Sequence, residues 1–220
     1  MENYVRGLNP QQAEAVRHDE GPLLVVAGAG SGKTKVLTCR IAHLMENGVR
    51  PEQILAITFT NKAAQEMRNR VAKMVGETAR HIWLYTFHSF CARVLRVEIA
   101  KLGGYESNFS IYDAADALNL VKACLKELNL DEKHFAPNGV AATISNAKNQ
   151  LQDAAAFARQ ADDFHSTKIA EIYTLYSQKL KQNNALDFDD LLLLTIRLFQ
   201  EQHEVLEKYQ QRFQYVMVDE

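Results

Sequence analysis

An α/β fold is what the sequence predicts, a parallel sheet interrupted by an all-helical insertion. Three observations predict it. Short apolar runs alternate with stretches of helical periodicity across the first hundred residues. One of these junctions, Leu23-Leu24-Val25-Val26-Ala27-Gly28-Ala29-Gly30-Ser31-Gly32-Lys33-Thr34, joins an apolar run to a loop of small residues ending in Gly-Lys-Thr. Residues 103–186 then lose the strand pattern and keep only helical periodicity.

The elements follow in order. Asn9 is an N-cap and Pro10 the first residue of a short helix. Gln12 on that helix reads as a surface residue, although an amide, with a donor beside an acceptor, also suits the edge of adenine. Leu23 to Ala27 is expected to be a buried strand, and residues 35–44 a helix closed by Gly48. Between them, strand, small-residue loop, Gly-Lys-Thr and helix make the P-loop context. The first N–H groups of a helix lack intrahelical partners, and glycine lets them curl around a phosphate with no Cβ in the way. Lys33 would reach the β- and γ-phosphates and Thr34 would hold Mg²⁺. Ala27 stands where the usual pattern begins with Gly, a mild departure because Gly28 and Gly30 keep the loop permissive. A glycine-rich turn that binds nothing is the competing reading.

Residues 53–59 form a second strand, and Thr60 caps a helix that lasts to about Gly76. Residues 81–86 form a third strand, followed by a helix from Phe87. The junctions at 27–34, 59–62 and 86–89 are all polar and all fall at the carboxyl ends of strands, the edge where such sheets bind ligands. Helices are expected over 113–128, 140–151 and 167–181. Asp187-Phe188-Asp189-Asp190 opens another helix; acids there are explained by the helix dipole, and a metal site is the lesser reading. Residues 213–218 form a last apolar strand ending in Asp219-Glu220. Downstream of a P-loop, Asp219 is placed to hold Mg²⁺ and Glu220 to activate the attacking water.

Composition narrows the class. With 47% hydrophobic and 24% charged residues the chain is globular. No apolar run reaches the length of a membrane span, and Met1-Glu2-Asn3-Tyr4 does not open a signal peptide. Cys39, Cys91 and Cys124 fit neither a disulfide framework nor a zinc site, so a cytoplasmic location is expected. The formal charge of −2 hides an asymmetry. Residues 1–100 carry 13 basic against 9 acidic residues, a net +4, whereas residues 187–220 carry 3 against 8, a net −5. The basic excess travels with the phosphate loop, which permits a local basic surface.

Taken together, these segments resemble the UvrD/PcrA/Rep group of superfamily 1 DNA helicases over nearly the whole chain. Leu8-Asn9 with Gln12 and Ala15-Val16 is similar to the family's Q motif, and Ala27 to Thr34 to its motif I. Thr58-Phe59-Thr60-Asn61-Lys62-Ala63-Ala64, with Glu66-Met67 and Arg70, resembles motif Ia. Thr86-Phe87-His88-Ser89 resembles motif Ib, Asp187 to Leu191 the stretch before motif II, and Val218-Asp219-Glu220 the start of motif II.

The resemblance implies a partial RecA-like subdomain 1A over 1–105 and 186–220, with the helical subdomain 1B over 106–185. It implies ATP and Mg²⁺ as cofactors. Gln12, Ala29, Gly30, Ser31, Gly32, Lys33, Thr34, Lys35 and Arg70 would bind the nucleotide. Lys35 stands where relatives usually have Arg, which puts stacking on adenine in question. Thr34 and Asp219 would hold the metal, and Lys33, Asp219 and Glu220 would serve catalysis. Phe59, Thr60, Asn61, Thr86 and His88 would contact single-stranded and duplex-junction DNA. The implied activity is 3′-to-5′ translocation and unwinding driven by ATP. These 220 residues would be the N-terminal part of a longer polypeptide, inactive without the second motor domain and its arginines. No membrane partner is expected. A P-loop ATPase of transport or signalling type with no DNA role is the alternative.

Overall fold

The computed structural model describes residues 4–18 and 20–219. The readings that rest on Met1 to Asn3 and on Glu220 lie outside the described residues. The chain forms two compact units, one from residues 1–90 and 207–220 and one from residues 91–206.

In the first unit, helix α1 (Pro10–Arg17) precedes the glycine loop, and helix α2 (Lys33–Glu46) follows it. Strand β1 (Ile54–Thr58), helix α3 (Asn61–Val75), strand β2 (Trp83–Thr86) and the start of helix α4 (Phe87–Glu98) come next. Helix α10 (His203–Arg212) leads into strand β5 (Tyr215–Asp219), the last element. The sheet runs β2-β1-β5, all parallel. β1 lies in the centre with all five residues buried, as a strand covered on both faces must be. On one face Leu37, Ile41 and Leu44 of α2 pack with Ala64, Met67 and Val71 of α3 over Ile54 and Ala56. On the other, Trp83 meets Phe213 edge-on at 5.1 Å, and the Arg212 guanidinium lies 4.5 Å over its indole.

The expected strand at Leu23–Ala27 does not form. The segment has no ladder partner among the described residues, and Leu24 and Val26 are each 85% exposed. Apolar character gives a run the tendency to be buried, but a strand also needs a neighbouring backbone about 4.8 Å away. Here residues 21–25 and 214–219 instead line opposite sides of a cleft of about 320 Å³.

The second unit is mainly helical. Helices α5 (Ala114–Glu127), α6 (Pro137–Asn149), α7 (Ala154–Gln160) and α8 (Phe164–Gln182) enclose a core of Val121, Leu125, Ile144, Ile172 and Tyr173, and α9 (Phe188–Glu201) follows them. Three of these were expected within 103–186; α7 was not, being only seven residues long between the cap Asp153 and Ala161. Two short strands that the periodicity does not show, β3 (Ser110–Ile111) and β4 (Ala185–Leu186), pair in parallel.

Asp187 caps α9 as expected from its position, closing a capping box with Asp190. It also does something the sequence does not reveal. Lys148, its side chain only 1% exposed, places Nζ 2.6 Å from Asp187 and 2.7 Å from Asp190, and the Tyr176 hydroxyl donates to Asp187 at 2.7 Å. The three cysteines are buried free thiols, and burial pushes each of them up, Cys124 to about 11.

Candidate functional site

The register of the sheet places Thr58 opposite both Thr86 and Asp219. Three strands therefore end at one level, and the segments that follow β1 and β2 share one edge. The glycine loop is built for sharp curvature. Gly30 and Gly32 have φ of +76° and +88°, and Gly32 is the N-cap of α2. Ser31 N–H donates to Gly28 O at 3.3 Å, closing a turn. The residues expected to line a nucleotide, Ala29, Gly30, Ser31, Gly32, Lys33 and Thr34, lie consecutively along this loop and the start of α2.

Lys33 folds back over its own loop, donating to Ala27 O at 2.7 Å and Gly28 O at 3.0 Å. A flexible ammonium held only by loop carbonyls is readily transferred to a stronger acceptor. Thr34 Oγ1 donates to Asp219 Oδ2 at 2.8 Å, so the start of α2 meets the end of β5 across 185 residues of sequence. A hydroxyl and a carboxylate are hard oxygen donors of the type Mg²⁺ takes, with phosphate oxygens and water completing its shell. Among the described residues no three His, Cys, Asp or Glu side chains cluster as a metal site.

Gln12 is not a bystander on its helix. Its Oε1 accepts from Asn9 N–H at 2.9 Å in a capping box, and its Nε2 donates to Ser31 O at 2.9 Å. The Asn-x-x-Gln spacing is the readable signal for the first bond; no signal exists for the second, because its acceptor is a backbone carbonyl. The same holds for Lys35, which donates to Gly7 O at 2.8 Å, and for Arg40, which donates to Ala15 O and Val16 O. Among the described residues no bond brings Arg70 to the loop; its partner is Glu66, one turn earlier on α3.

Beyond β1, Phe59 is 71% exposed, Thr60 caps α3 by accepting from Ala63 N–H at 3.1 Å, and Asn61 is exposed. At the end of β2, Thr86 is buried and its hydroxyl is taken up by Ser89 at the start of α4, while His88 beyond it is half-buried. The edge thus offers Phe59, Thr60 and Asn61 as an open group and His88 as a partly covered one. Asp219 lies in register with Thr58 at the third strand end.

Comparison with known proteins finds relatives of the sequence. The family profile described as the UvrD/REP helicase N-terminal domain matches residues 8–220. A protein named ATP-dependent DNA helicase PcrA from Bacillus subtilis is 53% identical over 215 residues, 97% of this chain and 29% of the relative. Proteins of the same name from Staphylococcus epidermidis and Staphylococcus aureus are 51% and 50% identical over 221 residues, covering all of this chain and 30% of each relative. The chain spans about 30% of the length of the curated relatives it matches.

Proposed function

Because the chain belongs to the UvrD/REP helicase family, we propose that it supplies the ATP-binding part of an ATP-dependent DNA helicase that moves 3′ to 5′ on single-stranded DNA. The observation that carries the reading is the Thr34–Asp219 hydrogen bond of 2.8 Å, which joins the P-loop helix to a carboxylate at a neighbouring strand end. In this reading the triphosphate takes the free N–H groups at the start of α2, and Lys33 leaves the Ala27 and Gly28 carbonyls for the β- and γ-phosphates. Thr34 and Asp219 hold Mg²⁺, which supplies charge neutralisation to the phosphates when bound. Glu220 is assigned as the base. Gln12 keeps one N–H and one lone pair beyond its present bonds, a pair that matches N7 and the N6 amino group of adenine. Arg70 completes the nucleotide set, and Lys35 serves it from behind through its bond to Gly7 O.

Single-stranded DNA is assigned to the strand-end edge. Phe59 provides a face for base stacking, which tolerates any sequence, as a motor requires. Thr60, Asn61, Thr86 and His88 flank it, and a duplex junction is the other DNA form proposed. Residues 1–105 and 186–220 are assigned to subdomain 1A, residues 106–185 to subdomain 1B, and the remaining motor domain to the same polypeptide. The absence of any helix long and apolar enough to cross a membrane, among the described residues, is compatible with the cytoplasm as its compartment.

The test is calorimetric titration with ADP and the slowly hydrolysed triphosphate, with and without Mg²⁺. Wild type is expected to bind both, Lys33→Ala neither, and Thr34→Ala to lose the part of the affinity that depends on Mg²⁺. Identical binding by wild type and Lys33→Ala would remove the basis of the proposal.

A further inference from the structure

Helix α1 and the turn before it are tied to the glycine loop and to α2 at two ends. At one end Gln12 Nε2 donates to Ser31 O, and at the other Lys35 Nζ donates to Gly7 O. Between them lies a turn closed by Leu8 N–H to Val5 O at 3.1 Å, with Gly7 at a φ of +81°. That φ turns the Gly7 carbonyl in a direction most residues reach only under strain.

The fit is close at the other end as well. A Cβ on Gly32, whose φ is +88°, would lie 3.0 Å from Gln12 Nε2. Farther along α2, Cys39 Sγ donates to Tyr4 O and the Tyr4 hydroxyl bonds His43 Nδ1, so the segment stays anchored below without Lys35. Lys35, Cys39 and His43 are four residues apart and share one helix face.

We propose that Lys35 is a positioning residue for base recognition: by holding Gly7 O it fixes the turn that sets Gln12 against the loop. The inference rests on the nucleotide-binding reading above. It gives Lys35 a role other than stacking on the base. The ammonium is committed to a backbone carbonyl, and its effect on the base passes through Gln12. One donor and one acceptor of Gln12 are already used, so the remaining pair discriminates adenine from guanine only while the turn keeps it aimed. Guanine presents two acceptors at the corresponding edge.

The experiment compares ADP, GDP and inorganic pyrophosphate binding to the whole chain. The variants are Lys35→Ala and Gly7→Ala; the second keeps the charge of Lys35 and moves the carbonyl. In both, the preference for ADP over GDP is expected to fall roughly three- to tenfold, the worth of about one hydrogen bond. Pyrophosphate affinity is expected to change by at most about twofold, because an exposed charge is screened. An unchanged ADP preference overturns the inference. So does an equal loss for ADP and pyrophosphate, which would mean that Lys35 serves the phosphates. Failure of wild type to bind pyrophosphate, or binding that Lys33→Ala leaves intact, overturns the nucleotide reading itself, and this inference with it.

Discussion

Phe59 keeps 71% of its surface in solvent directly after five buried strand residues, so the chain turns a large aromatic outward at the edge where three strands end. Nothing in the packing needs it there. Phe59→Ala is therefore expected to leave the thermal midpoint unchanged and to weaken single-stranded DNA binding by about 1–3 kcal/mol, the range for one stacked base. Fluorescence anisotropy at two salt concentrations measures this, and an unaltered affinity would remove Phe59 from the path. Gly104 makes the opposite case, a residue with a structural role and no chemistry. Its φ is +77°, and the Lys181 stem crosses where a Cβ would stand. Gly104→Ala is expected to cost about 1 kcal/mol of stability by chemical denaturation, set by the positive φ, since the end of the Lys181 side chain moves aside cheaply.

Elements differ in how well sequence foretells them. α1, α3 and α9 carry their own starts in Asn9, Thr60 and Asp187, and each cap is made as the side chain dictates. Leu23–Ala27 carries apolar character as strong as that of β1, yet only β1 finds a backbone on each side. Strand pairing is a property of two segments, and no single segment displays it. The same limit hides the joint between α6 and α9. Lys148 and Asp187 are 39 residues apart, so their spacing shows nothing of the ion pair. Lys148→Met would leave two buried carboxylates without their cation, at a cost of about 3–5 kcal/mol. Acid titration reports the same joint. Burial, opposed by Lys148 and reinforced by the charge of Asp187, pushes Asp190 up to about 6 from an ordinary 3.8. The folded state therefore binds that proton more tightly than the unfolded one. Its contribution to stability is fully present below about pH 4, declines as pH rises to about 6, and is constant beyond. Asp187, which burial works against but Lys148 holds below its usual range, has the opposite sign and loses its contribution only at lower pH. Asp190→Asn is expected to flatten the slope between pH 4 and 6 in denaturant melts; a slope that persists would assign it to another group.

At the scale of the molecule, the glycine-loop helix and the Asp219 carboxylate are joined, while three arginines of the same unit are engaged elsewhere. Arg40 donates to Ala15 O and Val16 O, Arg68 to Leu84 O, and Arg70 pairs with Glu66. An arginine at the transferring phosphate is worth roughly 10³–10⁵ in rate in related enzymes. The 220-residue chain assayed alone is therefore expected to bind ATP and turn it over no faster than Lys33→Ala, with or without single-stranded DNA. Phosphate release above that blank, approaching about 1 s⁻¹, would contradict the assignment. The glycine loop and the start of α2 were legible because they are local, seven consecutive residues from Gly28 to Thr34, whereas the strand read before them was not borne out. Their partner Asp219 was legible only as a strand end, because the fold alone brings the two together. That separation bears on how the protein is made. Residues 91–206 are contiguous and can fold as they leave the ribosome, whereas the unit that contains β1 needs β5, which is synthesised after them. While the next 185 residues are made, the glycine loop is present without the carboxylate that Thr34 bonds. The bond between Thr34 and Asp219 can therefore form only after Asp219 has cleared the exit tunnel, so the unit built around β1 closes later than the helical unit encoded within it.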